Sequence, residues 1–371
     1  VYKRQALGCV VAFAAGGAFA LWGRDDDQTI ETSATDDGES TTVNPPSDDT
    51  DGDEPTAPTT GSDNSEASTS SPDDDPETTS PESGATLDDG RPSTFWAITE
   101  ETYELVEVDT RTGEVIGRHG GWGATLSDCD GDDSCLIQVI DDVQLASDGT
   151  LYISDCCEPA VGNIYQVEAG DQFDPMDPGV VRYGTNPVPS PDATLVASDE
   201  LGAISIRLAD GEAVISRFPS EGGNGTSATW HTPLAWLDGT TLVFSVTRGE
   251  TAQLGFLDVS DPANPAVVGP IIDGTAFLDA GIRSDGKVLA LVGTPVQDED
   301  GLWLDWDIVG RAFDPETGVV VAEVDLPDSV FDMDYDASHT YLITSGSDGV
   351  VRWYGAGKSG EIGRGFIAAT W

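Results

Sequence analysis

The sequence predicts an all-β fold, a six-bladed β-propeller, because β-rich runs and turns of the Asp-Gly type recur regularly from residue 87 onward. "LASDGTLYISD" from Leu145 and "IRSDGKVLALVG" from Ile282 are two of six such units. The aspartates of the six turns are Asp89, Asp148, Asp192, Asp238, Asp285 and Asp336. Their intervals of 59, 44, 46, 47 and 51 residues are typical of propeller blades, each built from four antiparallel strands.

A second repeated feature supports the same division of the sequence into blades. "VDTRTGEVIG" (108–117) and "FDPETGVVVAEV" (313–324) are strand–turn–strand pairs with glycine in the turn. "RLADGEAVIS" (207–216) and "LDVSDPANPAVVG" (257–269) stand at the same place in their repeats. These four segments are predicted to be hairpins between the third and fourth strands of a blade.

Several units resemble the repeats of known propeller families. "SPDATLVAS" and "SDGTLYIS" resemble TolB-type repeats, "LDVSDPANPAVVG" is similar to the bacterial LVIVD-type repeat, and "ITSGSDGVVRWY" resembles the WD-repeat hairpin. The resemblance covers about residues 87–371, although the Gly-His and Trp-Asp pairs of WD repeats are missing and no single family matches all six units. It implies a fold and not a chemistry.

The last residues are predicted to close the ring. The first unit starts near Arg91 without a good inner strand before "STFWAIT", and the sequence ends in the apolar run "GFIAATW". Residues 365–371 are therefore expected to form the inner strand of the first blade, which removes a free sheet edge. The alternative is a seven-bladed ring with a further blade outside this sequence.

The first 24 residues are predicted to be a membrane anchor or a signal segment. Lys3 and Arg4 precede an uncharged apolar run over 6–22, which as a helix would be roughly 25 Å long. The basic residues before the run and the acidic residues after it place the remainder outside the membrane. A single-pass anchor and a secreted form cleaved near Ala20, after the "AFA" pattern, are the two alternatives.

Residues 25–90 are predicted to be a disordered linker. They contain 21 Asp or Glu, no Lys or Arg, and many Ser, Thr and Pro residues. Such a segment buries too little apolar surface to offset its chain entropy. It would serve either as a stalk that holds the propeller, residues 91–371, away from the membrane or as a plain tether.

The charge of the chain limits its partners. The net charge is -52, and residues 91–371 alone contain 47 acidic and 13 basic residues. A surface this negative repels phosphate backbones, so nucleic acid is not expected as a partner. Protein, peptide or carbohydrate at the cell surface is expected instead, with the membrane contacted through residues 6–22.

Four cysteines are predicted to form disulfides at one face of the propeller. Cys129 and Cys135 lie in the connection into the second blade, and Cys156 and Cys157 lie between its second and third strands. A bridge between the adjacent Cys156 and Cys157 is disfavoured by their short Cα separation. Each of the first pair is therefore expected to bond to one of the second pair, because exported proteins favour disulfides. A zinc site and a redox role are the alternatives.

The same connection carries alternating carboxylates that could bind calcium as a cofactor. They are Asp128, Asp130, Asp132 and Asp133. The EF-hand pattern fails here, since the sixth position is aspartate rather than glycine and the twelfth is Val139. A solvated acidic turn is the simpler interpretation.

Aromatic residues in connections on that face form a candidate binding surface. They are Trp122, Trp230, His231 and Trp303. Exposed indoles beside carboxylates suit a carbohydrate or a peptide. The alternative is that these side chains pack between blades.

Sequence motifs for catalysis are missing: there is no G-x-S-x-G, H-E-x-x-H, P-loop or dinucleotide fingerprint. The predicted function is therefore an exported, membrane-tethered binding module rather than an enzyme. The alternative is a hydrolase or lyase that uses carboxylates of the innermost strands at the mouth of the central channel. Those candidates are Asp141, Asp142, Asp279, Asp332 and Asp334.

Overall fold

The computed structural model describes most of the predicted propeller. The described residues are 86–122, 139–156, 162–175, 180–211, 213–219, 229–249, 251–297 and 303–371. They form 24 β-strands and no α-helix. The strands make six antiparallel sheets of four strands each, so these residues form a six-bladed β-propeller.

The first three blades begin at the chain's first strands. The first contains, from the inside outward, β24 (Phe366–Thr370), β1 (Thr94–Thr99), β2 (Glu104–Asp109) and β3 (Val115–Gly121). The second contains β4 (Val139–Leu145), β5 (Thr150–Cys156), β6 (Asn163–Glu168) and β7 (Val180–Tyr183). The third contains β8 (Thr185–Pro189), β9 (Leu195–Glu200), β10 (Ala203–Leu208) and β11 (Val214–Phe218).

The other three blades follow in chain order. The fourth contains β12 (Thr229–Trp236), β13 (Thr241–Arg248), β14 (Thr251–Asp258) and β15 (Ala266–Gly274). The fifth contains β16 (Phe277–Ile282), β17 (Val288–Gln297), β18 (Trp303–Phe313) and β19 (Val320–Val324). The sixth contains β20 (Val330–Tyr335), β21 (Tyr341–Gly346), β22 (Val350–Gly355) and β23 (Lys358–Arg364). The four predicted third-to-fourth-strand hairpins are confirmed.

Strand β24 closes the ring, as predicted. It pairs antiparallel with β1, and Thr370 lies opposite Trp96, Ala369 opposite Ala97, and Ala368 opposite Ile98. The innermost strands β4, β8, β12, β16, β20 and β24 each contact the next one around the ring. The six inner strands therefore surround one central channel.

The repeated aspartates hold the turns between the first and second strands of the blades. Asp148 Oδ1 accepts a hydrogen bond from the Thr150 backbone N–H (3.0 Å), and Asp238 Oδ1 accepts one from that of Thr240 (2.7 Å). Gly149 follows with a φ of 90°, a conformation that residues with a Cβ rarely adopt. Gly90 and Gly286 also have positive φ, so the Asp-Gly pattern marks the same left-handed glycine in these three turns.

The hydrophobic core lies between neighbouring blades. One cluster joins Ile204 of the third blade to Phe244 of the fourth, and another joins Phe95 of the first blade to Ile343 of the sixth. Both phenylalanine side chains are almost fully buried, and burying one contributes about 1.5–3 kcal/mol. The β-branched and aromatic strand residues thus bind the blades to one another.

The predicted anchor (1–24) and most of the predicted linker (25–90) lie outside the described residues. Residues 86–92 are described, and they form a turn that Tyr341 contacts by donating a hydrogen bond to the Asp89 carbonyl. Within the described ranges, no helix has the length and apolar character required to span a bilayer.

Candidate functional site

Three of the predicted inner-strand carboxylates lie at the same level of the channel. Asp142, Asp279 and Asp332 each follow a register shift in β4, β16 or β20, and each stands three residues before the last residue of its strand. Because the inner strands run side by side around the ring, equivalent positions share one height. We call these three residues the channel carboxylates.

The channel carboxylates differ in their hydrogen bonds. Asp279 Oδ1 accepts from the Ala280 backbone N–H, and its Oδ2 accepts from the Met333 backbone N–H in the next blade, both at 2.7 Å. Asp332 Oδ2 accepts from the Ser345 hydroxyl at 2.7 Å, and Asp142 Oδ1 accepts from the Gln144 amide at 3.1 Å. Asp279 thus ties the fifth blade to the sixth.

The channel carboxylates also influence one another electrostatically. Burial raises the pKa of Asp279 well above its usual value, and the negative charges of Asp332 and Asp142 raise it further, although the two backbone N–H groups act in the opposite direction. Carboxylates that share a low-dielectric space cannot all ionise at their ordinary pKa values. Asp279 therefore holds its proton at a higher pH than a surface aspartate does.

Asp334 lies two residues further along β20, nearer the end of the channel. Its Oδ2 accepts hydrogen bonds from the Thr370 hydroxyl (2.6 Å) and the Trp371 backbone N–H (3.1 Å). The Thr370 hydroxyl also accepts from the Leu145 backbone N–H at 3.2 Å. Burial raises the pKa of Asp334 to about 6, despite the opposing effect of the bonds from Thr370 and Trp371.

A cavity of about 750 Å³ opens where the inner strands end and the first-to-second-strand turns begin; we call it the channel cavity. Aromatic side chains from four strands or strand ends line it: Trp96, Trp236, Tyr335 and Trp371. Gln144 and Asp334 are among its polar lining residues, and no Lys or Arg is among the described residues that line it. The cavity is therefore aromatic and electrostatically negative.

The indoles of the cavity differ in their hydrogen bonding. Trp236 Nε1 donates to the Val188 carbonyl at 2.9 Å. Trp371 is only 8% exposed, and its Nε1 is buried without a hydrogen-bond partner among the described residues. A buried donor without a partner is costly unless something else accepts its proton.

The four residues of the predicted binding surface occupy different environments. Trp122 is buried, and its ring packs edge-on against Tyr165 (5.4 Å between centroids) and Phe173 (5.0 Å). This geometry corresponds to the packing alternative for that residue.

The other three lie in β12 and β18. Trp230 is partly buried with its ring over Gly202, where a Cβ would lie 3.0 Å from the indole. His231 is buried, its Nδ1 lies 3.2 Å from the Gly202 carbonyl oxygen, and burial lowers its pKa. The backbone of Trp303 begins β18, and its side chain lies outside the description. Trp122, Trp230 and His231, whose side chains are described, are not among the residues that line the channel cavity.

The predicted disulfide and calcium residues lie largely outside the described ranges. Cys156 ends β5, but its side chain and the residues Cys129, Cys135 and Cys157 are not described. The same holds for Asp128, Asp130, Asp132 and Asp133. Within the part of the chain that is described, no group of three or more His, Cys, Asp or Glu side chains is arranged to hold a metal ion.

Sequence reasoning placed Asp142, Asp279, Asp332 and Asp334 on inner strands, and the structure confirms that placement. It did not find the channel cavity. Trp96, Trp236 and Trp371 are far apart in the sequence and stand in or beside strands, where an indole is usually a core residue. The period of the repeats was the available signal, since it aligns the ends of the inner strands with one another.

Comparisons with known proteins give a distant structural likeness. No family model matches the chain, and no curated protein matches it significantly. Among solved structures, a chain of Kuenenia stuttgartiensis hydrazine synthase is similar, with 16% sequence identity and a TM-score of 0.41 over 71% of this chain and 74% of that one. This likeness is too distant to bear on function. The type of propeller repeat stays a prediction.

Proposed function

We propose that this chain is a binding module whose ligand enters the channel cavity. The observation that carries the proposal is the cavity itself, whose volume of about 750 Å³ falls within the range of ligand sites in proteins, roughly 300–1,000 Å³. Its lining combines aromatic side chains with a small number of polar groups, among them Asp334 and Gln144. That combination gives contact area and orientation together.

The proposal also concerns where the module works. The apolar run 6–22 and the acidic segment 25–90 support an exported propeller that is tethered to the outer face of the cell membrane. In that location protein, peptide and carbohydrate are the available ligand classes. The net charge of -52 disfavours nucleic acid and other polyanions.

A cavity-blocking variant of the full chain tests the proposed site. Ala337 lies in the exposed turn between β20 and β21 and lines the cavity. Ala337→Trp therefore fills the mouth without disturbing the core. Ser347 is an exposed turn residue at the opposite end of β21, so Ser347→Trp is the matched control.

The labelled full chain and both variants would be applied to glycan and peptide arrays, with and without calcium. We expect signals that Ala337→Trp abolishes and Ser347→Trp leaves unchanged. Signals that survive in Ala337→Trp, or arrays without any signal, would contradict the channel cavity as the binding site. Signals that depend on calcium and are lost with Ser347→Trp would move the site to the opposite face.

One observation favours a second candidate, the extracellular hydrolase or lyase. The raised pKa of Asp279 beside two further carboxylates resembles the arrangement by which catalytic acids are held protonated. In that case an array ligand would be cleaved on incubation with the protein, as read by mass spectrometry. Asp279→Asn would stop the cleavage while circular dichroism showed that the variant remained folded.

A further inference from the structure

We infer that the outer edge of the fifth blade binds an extended peptide segment, which pairs with β19 as an added strand and whose apolar residues are flanked by lysine or arginine. The inference goes beyond the proposed function, because it concerns a surface on the outside of the ring rather than the channel cavity. Its basis is an exposed apolar patch on two neighbouring blades and the charge around it.

Exposed aliphatic side chains are concentrated on the outer parts of the fourth and fifth blades. The two groups adjoin, since a Cβ at Gly318 would lie 3.1 Å from the Pro270 Cβ and 3.2 Å from the Ile272 Cγ1. A contiguous apolar patch on so acidic a protein indicates an interaction site. Of the eleven large hydrophobic side chains that are exposed among the described residues, six lie on β15, on β19 or directly before β19, and we call them the outer apolar patch: Val267, Val268, Ile271, Val319, Val320 and Val321.

The outer edge of β19 lacks the features that protect the other outer strands against pairing. β3, β7, β11 and β23 each contain an arginine or a lysine, and such charges discourage the pairing of sheet edges. β15 contains Gly269 and Pro270, where its pairing with β14 is interrupted. β19 contains no lysine, arginine or proline, and no other described strand pairs with its free edge. A register shift does not distinguish β19, since β3, β11 and β23 have one as well.

The size and the charge of this surface disfavour a second copy of the chain as its occupant. A stable dimer buries about 800 Å² on each partner, which is more than six side chains of 37–59% exposure offer. Residues 91–371 contain 47 acidic and 13 basic residues, so two copies repel each other. A single added strand requires less surface, gains main-chain hydrogen bonds from the free edge and can carry the complementary charge.

The carboxylates around the outer apolar patch lack cationic partners. Asp273 follows the patch on β15, and Glu316 and Asp325 stand before and after β19. All three are exposed, and none forms an ion pair with a described residue. Arg311 in the same sheet is already paired with Glu323 at 3.1 Å. The unbalanced negative charge therefore selects a peptide with lysine or arginine beside its apolar residues.

A groove between the fifth and sixth blades extends the surface at the end of β19. Its volume is about 470 Å³, and its charged lining residues are Asp325, Arg352 and Glu361. Arg352 is paired with Asp348 at 2.5 Å, and Glu361 is paired with Arg364 at 2.7 Å. Asp325 is therefore the lining carboxylate that remains for a ligand. A lysine or arginine at the corresponding end of the added strand would pair with it.

The test measures the binding of labelled nine-residue peptides to the full chain by fluorescence anisotropy. The probe is KKVTVTVKK, and the comparison peptides are EEVTVTVEE, KKSTSTSKK and a form of the probe with its five central residues N-methylated. The first lacks the positive charge, the second lacks the apolar side chains, and the third cannot pair as a strand. We expect the probe to bind at one site per chain and each comparison peptide to bind roughly ten-fold more weakly or less.

Two substitutions with matched controls locate the site. Val320→Lys places a charge on the free edge and should weaken probe binding by roughly ten-fold or more. Ile116→Lys makes the same change on β3, at 45% exposure against 43% for Val320, and should have little effect. Asp325→Asn should weaken probe binding by roughly two- to five-fold. Its control is Asp210→Asn in an exposed turn of the third blade, which should leave binding unchanged.

The outcomes separate this inference from its rivals and from the proposed function. Failure of the probe to bind, equal binding of any comparison peptide, or binding that Val320→Lys leaves unchanged overturns the inference. Dimers in sedimentation equilibrium that Val320→Lys abolishes would overturn it in favour of a second copy, and weakened binding of this variant to phosphatidylcholine vesicles would overturn it in favour of a lipid surface. Ala337→Trp should leave probe binding unchanged. A peptide lost in Ala337→Trp but not in Val320→Lys is a ligand of the channel cavity, and the opposite pattern identifies a ligand of the outer apolar patch.

Discussion

Replacing Asp334 by asparagine is expected to stabilise the protein at neutral pH and to stabilise it much less in acid. The Asp334 carboxyl lies at the end of the channel with its pKa raised from 3.8 to about 6, chiefly by burial. Asparagine resembles the protonated acid, and one oxygen can still accept from Thr370 and Trp371. The substitution therefore removes a buried charge without removing its two hydrogen bonds.

The sign of this pH dependence of stability follows from proton linkage. Between about pH 4 and pH 6 the folded protein retains a proton on Asp334 that the unfolded chain releases, so the free energy of unfolding falls as the pH rises through this window. The difference between 3.8 and about 6 corresponds to about 3 kcal/mol at 1.36 kcal/mol per unit. This penalty is absent below the unfolded pKa and complete above the folded pKa.

The assay is thermal unfolding followed by circular dichroism at pH 4.5, 6.0 and 7.5. A gain of about 3 kcal/mol corresponds to roughly 6 °C or more for a domain of this size. At pH 4.5 about 1 kcal/mol of the penalty is present, so we expect Asp334→Asn to melt about 2 °C above the parent there and roughly 6 °C or more above it at pH 7.5. The pKa of Asp279 is raised in both proteins, so their difference isolates Asp334.

Asp348→Asn is the control of opposite sign. Burial acts to raise the pKa of Asp348, but hydrogen bonds from the Arg352 side chain and the Val350 backbone outweigh it and lower the pKa. Removing the Asp348 carboxylate should therefore lower the free energy of unfolding at pH 7.5 and have a smaller effect in acid. A gap between Asp334→Asn and the parent that is the same at pH 4.5 and 7.5, or a less stable variant at pH 7.5, would refute the burial argument.

Two further predictions concern ring closure and the cysteines. Deleting residues 366–371 should lower the melting temperature by about 10 °C or more, because it removes an inner strand and the buried side chains of Phe366 and Trp371; an unchanged melt would contradict closure by β24. Thiol titration of the native, non-reduced chain should find one reactive thiol, that of Cys9, among five cysteines. Finding five would exclude the predicted disulfides.

The repeat architecture was predictable because its signal is local. Each Asp-Gly turn is held by hydrogen bonds that span two or three residues, such as that from the Thr150 N–H to Asp148. Local geometry of this kind recurs in the sequence wherever it recurs in the fold. Ring closure was predictable for a different reason, because an apolar β run without a turn after it pairs most readily with a blade that lacks an inner strand.

The cavity and the level of the channel carboxylates were not predictable in the same way. A β-bulge precedes Asp142, Asp279 and Asp332, and it shifts the alternation of side chains by one residue. No residue type marks these bulges, since the unpaired residues are Asp141, Leu278 and Phe331. The height of each channel carboxylate along the channel therefore depends on where its strand pairs irregularly with the neighbouring strand.

The hydrogen bonds of the two raised-pKa carboxylates favour binding over catalysis. Both oxygens of Asp279 are engaged by backbone N–H groups, one of them across the boundary between the fifth and sixth blades. A general acid must present its proton to a substrate. Both oxygens of Asp279 instead accept hydrogen bonds that hold β16 in place and connect it to β20. Asp334 similarly joins the sixth blade to the first, because its Oδ2 accepts hydrogen bonds from the Thr370 hydroxyl and the Trp371 backbone N–H.

Asp279 and Asp334 therefore act first as links between successive inner strands, and of these two only Asp334 lines the cavity. A single carboxylate can orient a ligand, whereas glycoside hydrolysis requires two carboxyl groups on opposite sides of the scissile bond. If Asp279→Asn left ligand binding intact while Asp334→Asn weakened it, Asp279 would act as a link between strands and Asp334 as a ligand-binding residue. Equal losses of binding in both variants would instead place Asp279 in contact with the ligand.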